Sequence, residues 1–129
     1  MANRSCATII NNDSVLMVRQ TYKGDTFWTF PGGRIEQLET PEDCAIRETL
    51  EETGLEIELT KKVCEVFNER INGIYYCYLG KIISGNAQLG SDPELSNDAQ
   101  ELIELKWFPI KEMQGHPEVK RLLPYLYGL

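Results

Sequence analysis

The chain has 129 residues, with 13 Lys plus Arg against 20 Asp plus Glu, and so a formal net charge of −7. One domain spanning residues 1–129 is the expectation at that length, and a hydrophobic content of 42% excludes a disordered chain. Glu36, Glu39, Glu42, Asp43, Glu48, Glu51, Glu52, Glu56 and Glu58 face a single base, Arg47, so this window carries −8 and the remainder +1. That sign excludes a duplex nucleic-acid coat protein and a membrane-surface binder.

Arg4 to Ile10 and Ser14 to Arg19 read as strands joined by an Asn11-Asn12-Asp13 turn. Tyr22 to Thr26 reads as a loop, and Phe27-Trp28-Thr29-Phe30 as a short aromatic strand broken by Pro31-Gly32-Gly33. Thr40 as N-cap, Pro41 at the first position, Glu42 and Asp43 in the first turn and Gly54 as stop predict a helix over Pro41 to Thr53. Leu55 to Thr60 and Val63 to Arg70 are strand-like, and Asn72-Gly73 turns the chain into a strand over Ile74 to Ile83. Ser84 to Gln100 is a long polar loop, of the kind that often carries function. Glu101 to Phe108 reads as the last strand, and Pro117 opens a terminal helix, Glu118 to Tyr127. The mixture predicts an α+β domain, an α/β/α sandwich with a mixed sheet.

No uncharged stretch approaches the ~20 apolar residues of a membrane span, and the N-terminus leads into a strand rather than an apolar leader. Cys6, Cys44, Cys64 and Cys77 are scattered without a CxxC pair, and the one histidine is His116. The expectation is no zinc site, reduced thiols and a cytoplasmic protein. His116, just before Pro117, reads as a hinge or helix cap.

On the predicted helix Glu51 and Glu52 fall within about 60° and 40° of Glu48, so three carboxylates share one arc. Ile46, Thr49, Leu50 and Thr53 lie on the other side, which reads as the core face. A solvated surface would explain the acids at a cost of a few tenths of a kcal/mol per like-charged pair. A hard-cation site explains them too, because Mg²⁺ takes oxygen ligands, commonly carboxylates together with substrate phosphates.

Gly33, Glu39, Arg47, Glu48, Glu51, Glu52 and Gly54 decide between these readings. Their spacing resembles the Nudix box, Gly-x5-Glu-x7-Arg-Glu-U-x-Glu-Glu-x-Gly-U, at all seven fixed positions. A chance match is on the order of 10⁻⁸ per starting point. Thr49 departs from the bulky aliphatic expected at the first U, and Leu38 stands where many members have glycine. Trp28-x-Phe-Pro-Gly-Gly and the Glu101 to Phe108 stretch resemble the strands around the box in MutT-like members.

The resemblance implies a Nudix-type sandwich with one catalytic helix, and hydrolysis of a nucleoside diphosphate linked to another group. It implies Mg²⁺ (or Mn²⁺) held by Glu48, Glu51, Glu52 and the Gly33 carbonyl. Glu52 is the first candidate for general base toward the attacking water, and Arg47 and Glu39 support the site. Glu101 is the candidate late ligand or base, in competition with Glu94, Asp98 and Glu104. For substrate, Arg34 is the leading phosphate contact, beside Arg19 and Arg70, and Phe27, Phe67, Tyr76 or Tyr78 could stack a base. Phe27 and Tyr76 are carried forward. A small nucleotide is the expected partner, without membrane or duplex nucleic acid, for a monomer or homodimer. The alternative is a nucleotide-sensing module of the same fold without turnover, which intact acids disfavour.

Overall fold

Asn12 and Asp13 both adopt positive φ, 51° and 62°, which matches the twist of the strands they join, β1 (Arg4–Asn11) and β2 (Ser14–Tyr22). The computed structural model describes residues 3–22, 24–90 and 102–127. A second hairpin turns at Gly24, φ 85°, into β3 (Asp25–Thr29), where a loop was expected up to Thr26. Thr26 pairs with Thr21 and Trp28 with Arg19, so cross-strand pairing carries a polar stretch into the sheet. β4 (Gly32–Arg34) follows Pro31 at once and lies on β1, with Cys6 opposite Gly32. Only glycine fits there, because a Cβ at Gly32 would come within 2.7 Å of the Cys6 Cα.

After α1 (Pro41–Thr53), the two predicted strands Leu55 to Thr60 and Val63 to Arg70 form one long strand, β5 (Glu56–Asn68). It absorbs Lys61 and Lys62 through register shifts against β6 (Gly73–Ser84) rather than breaking. β7 (Leu102–Pro109) pairs with β2, and a 3-10 turn at Ile110–Glu112 leads toward α2 (Pro117–Tyr127). The sheet order is β3-β2-β1-β6-β5, with β4 on β1 and β7 on β2. β1 and β6 run parallel, Arg4 opposite Tyr75 through Ile9 opposite Gly80, and the other pairs are antiparallel.

β1 pairs with β4 over Arg4 to Cys6 but with β2 only at Ile10 and Asn11, so the sheet splits along its length. The two faces carry separate cores. Ala7, Ile9, Leu16, Leu55, Ile57 and Tyr78 pack with Ala45 of α1. Cys6, Val15, Met17, Phe30, Val63 and Cys77 pack with Val119 and Leu122 of α2. The result is the expected α/β/α sandwich. No helix among the described residues is long and apolar enough to cross a membrane.

α1 keeps its predicted ends. Thr40 Oγ1 accepts from the Asp43 N–H at 3.0 Å, and Gly54, φ 74°, donates its N–H to the Leu50 carbonyl at 2.9 Å. Its rotation differs from the expectation. The buried residues are Cys44, Ala45, Thr49, Glu52 and Thr53, while Leu50 is 50% exposed. The helix lies on β4 and the start of β1, where glycine backbone and Ser5 offer polar partners to a carboxylate. Ser5 Oγ donates to the Pro41 carbonyl at 2.6 Å, and the Gly32 N–H to Glu52. Glu52 is therefore turned inward, while Glu48 is half-buried and Glu51 stays exposed.

Candidate active site

Arg47 is the hub of the carboxylate cluster. Its Nε and Nη2 grip both oxygens of Glu39 at 2.7 and 3.0 Å, a bidentate pair. Its Nη1 donates to Glu48 Oε1 at 2.8 Å and more distantly to Glu51 at 3.3 and 3.4 Å, with Glu36 at 3.8 Å. Nη2 also reaches the Arg34 carbonyl at 3.3 Å, which ties the loop before α1 to the helix. Hydrogen bonding from Arg47 holds the Glu39 carboxyl below its usual pKa.

Glu52 is 8% exposed and accepts from the Gly32 N–H at 3.1 Å. Burial first, then the charge of Glu48, push its pKa well above the carboxylate range, against the pull of Gly32 and the more distant Arg4. Glu48 is raised in the same way by burial, partly offset by Arg47. Gly33 makes this approach possible, since a Cβ there would fall within 2.6 Å of Glu48 Oε2. Cys44 Sγ sits 3.6 Å from the Gly33 carbonyl, and burial with nearby acids lifts that thiol to about 12, so it is no nucleophile.

The loop after β6 closes the far end of the helix. Gln88 N–H donates to the Thr53 carbonyl and Gly90 N–H to the Glu52 carbonyl, each at 2.8 Å. A Cβ at Gly90 would collide with the Glu51 carbonyl.

Among the described residues no three His, Cys, Asp or Glu side chains stand as a formed metal site. The donor chemistry nonetheless fits a hard dication. Buried Glu52 lies against half-buried Glu48 beside the Gly33 backbone, where the charge of Glu48 opposes ionisation of Glu52, and Glu51 is held to Arg47 only by long contacts. A dication relieves that repulsion with oxygen donors alone.

Behind Gly32 and Gly33, between β1, β3, β6 and the start of α2, lies a cavity of about 420 Å³. Phe27 and Arg70 line it, with the guanidinium 6.0 Å from the ring centroid. Tyr75 reaches it too, its hydroxyl donating to Glu118 and lying 2.9 Å from Cys6 Sγ, and Thr29 Oγ1 donates to the other Glu118 oxygen at 2.7 Å. Glu118 N–H donates to His116 Nδ1 at 3.2 Å, which fixes the imidazole proton on Nε2, where it is donated to the Trp28 carbonyl at 2.9 Å. His116 thus caps α2 and fastens it to β3.

The structure gathers Gly33, Glu39, Arg47, Glu48, Glu51 and Glu52, and puts Phe27 and Arg70 in the cavity. Tyr76 lies on the other face of the sheet, packed against the α1-side core, because alternation on β6 gives the cavity to Tyr75. Tyr78 is buried there with its hydroxyl 3.3 Å from Glu42, Phe67 is 56% exposed, and Arg34 is exposed away from the cavity lining. Arg19 pairs with Glu104 on the surface at 3.4 Å. Glu101, Glu94 and Asp98 lie outside the described residues. Arg4, Tyr75, Glu118 and Arg121 line the cavity without having been expected there. Only the parallel register of β1 and β6 sets Arg4 beside Tyr75.

A family model described as the NUDIX domain matches residues 1–126. The m7GpppN-mRNA hydrolase dcap-2 of Caenorhabditis elegans is 32% identical over 117 residues, which are 90% of this chain and 14% of that protein. A putative 8-oxo-dGTP diphosphatase of Bacillus subtilis is 29% identical over 107 residues, 83% of this chain and 66% of that protein. The chain thus spans from about a seventh to about two thirds of these relatives. An ADP-ribose pyrophosphatase structure from Streptococcus suis superposes with a TM-score of 0.73 at 20% identity, covering 98% of this chain and 90% of that one. A NUDIX hydrolase from Nitrosomonas europaea gives 0.74 at 22%, covering 98% and 89%. At these identities the likeness is one of fold.

Proposed function

This chain belongs to the NUDIX domain family, and on that premise we propose that it hydrolyses a pyrophosphate bond in a nucleoside diphosphate linked to another moiety, with Mg²⁺ as cofactor. The observation that carries the reading is the pair of adjacent carboxylates, buried Glu52 and half-buried Glu48, set against the Gly32-Gly33 backbone at the edge of a nucleotide-sized cavity, with the charge of Glu48 raising the pKa of Glu52. Glu48, Glu51, Glu52 and the Gly33 carbonyl would hold the cation, which when bound screens phosphate charge and acidifies water. Glu52, held by the Gly32 N–H and with a pKa raised above the usual carboxylate range by burial, is a stronger base than an ordinary carboxylate. Arg47 and Glu39 hold the helix and its leading loop in one arrangement.

The relatives named 8-oxo-dGTP diphosphatase, ADP-ribose pyrophosphatase and mRNA hydrolase support phosphoanhydride chemistry on nucleotides. The test is a Mg²⁺-dependent assay on nucleoside triphosphates, nucleotide sugars and dinucleoside polyphosphates, reading phosphate with and without added pyrophosphatase. Turnover of at least one class is expected, and Glu52→Gln should lower kcat by at least about 100-fold, the scale of general-base catalysis. No native turnover, or full activity in Glu52→Gln, overturns the reading.

A further inference from the structure

Three of the four cysteines stand in one row across the sheet. Cys6 of β1 is the register partner of Cys77 of β6, and Cys77 is that of Cys64 of β5. All three belong to the core beneath α2, whereas Cys44 stands apart on α1. Cys6 and Cys77 are 4% and 2% exposed, so neither meets solvent freely. Cys64 is only partly buried, because β5 is the last strand of the sheet. Arg121 of α2 donates to Cys64 Sγ at 3.5 Å, a contact that strengthens when the sulfur is a thiolate. Burial raises the Cys64 thiol above its usual pKa, and Arg121 pulls it back. Hydrogen bonding from Cys6 holds the Cys77 thiol below its usual value against the effect of burial, and Thr8 Oγ1 lies 3.3 Å from the same sulfur.

Directly opposed residues of an antiparallel pair hold their Cβ atoms about 4.5–5.5 Å apart, and a disulfide needs about 3.5–4.5 Å. The register shift between Lys62 and Cys64 gives β5 the irregular backbone through which the remaining gap closes. Cys6 has no such route to Cys64, since β6 lies between them. Cys6 and Cys77 are also neighbours, but neither offers an accessible sulfur on which oxidation could start. We propose that Cys64 and Cys77 form a site of oxidative modification, in which a hydroperoxide reaching Cys64 closes a disulfide between β5 and β6. The Cys64 thiolate attacks a peroxide oxygen, so that the S–O bond forms, the O–O bond breaks and hydroxide or alkoxide leaves. The Cys77 thiolate then attacks the sulfenic sulfur, the S–S bond forms, the S–O bond breaks, and hydroxide leaves to be protonated to water. With hydrogen peroxide, two thiols thus become one disulfide and two waters. The site lies outside the carboxylate cluster and does not rest on the hydrolase reading.

The experiment treats the full, reduced chain with hydrogen peroxide in EDTA, quenches by alkylation and maps the peptides by mass spectrometry. Native protein should lose two of its four alkylatable thiols, joined as Cys64–Cys77, and a dithiol reductant should restore both. Cys64→Ser, a change at the sheet's edge, should slow thiol loss by at least about tenfold, because the accessible sulfur is gone. Cys77→Ser should leave Cys64 as a sulfenic acid that dimedone captures, and Cys6→Ser should still form the bond. Native protein that keeps all its thiols overturns the proposal. So does a disulfide mapped to any other pair, within one chain or between two. Thiol loss at the native rate in Cys64→Ser, or loss of the bond in Cys6→Ser, overturns it as well.

Discussion

Thr49 shows what a single departure from the box does to the molecule. It was expected on the core face of the helix, and it is fully buried there, with an Oγ1 that has no hydrogen-bond partner among the described residues. The neighbouring Thr53 meets the same difficulty by donating to the Thr49 carbonyl at 2.7 Å. Valine has the same branched shape without the hydroxyl, so Thr49→Val should stabilise the protein by about 1 kcal/mol, the cost of an unmet buried hydroxyl. Thermal unfolding should show a gain of roughly 3–5 °C for a domain of this size, and an unchanged or lower Tm would mean that the hydroxyl finds a partner. Leu38, the other departure, takes φ 68° with its side chain wholly exposed. That is the left-handed region, where a Cβ costs about 1–2 kcal/mol, and it accounts for the glycine many members carry there.

At the scale of elements, the carboxylate-bearing helix α1 depends on the loop that caps it. Gly90 and Gln88 satisfy the carbonyls of Glu52 and Thr53, and Gly90 lies so close to Glu51 that no side chain fits. Gly90→Ala should push the loop off the helix, cost about 2 kcal/mol, and raise the Mg²⁺ concentration needed for half-maximal activity. Gly115→Ala is the control, because a Cβ there meets nothing within 4 Å. It should stay within about 0.5 kcal/mol of the parent, and equal losses in the two would remove Gly90 from the site's support. The ends of α1 were legible because capping is local chemistry written in Thr40, Pro41 and Gly54. Its rotation was not, because a wheel that treats Glu as solvent-facing cannot anticipate the Gly32 N–H waiting for Glu52. The same limit hid the cavity: Arg4 of β1, Phe27 of β3, Arg70 of the turn between β5 and β6 and Glu118 of α2 converge on it, and alternation alone could not choose Tyr75 over Tyr76.

Across the whole molecule, the net −7 is an arrangement of opposed fields. Arg47 draws in Glu36, Glu39, Glu48 and Glu51, and leaves Glu52 and the buried side of Glu48 uncompensated. The pH dependence of stability follows from the signs. Glu39 is held below its ordinary value of 4.5, so its contribution is present above that pH and fades as acid titrates it. Glu48 and Glu52 lie above 4.5, so the folded state binds their protons more tightly than the unfolded chain does. Their contribution is full below 4.5 and is lost as pH rises through their folded values. Metal-free protein should therefore be most stable on the acid side of neutrality and lose Tm toward pH 8. Mg²⁺ competes with those protons, so its stabilising effect should be larger at pH 8 than at pH 6, and about 1.4 kcal/mol at ten times Kd. Glu52→Gln should flatten the metal-free profile and remove most of the Mg²⁺ response, because one member of the repelling pair no longer carries charge. A metal-free Tm that climbs steadily from pH 5 to 8, or a Mg²⁺ shift that survives Glu52→Gln unchanged, would place the strain and the cation somewhere other than between Glu48 and Glu52.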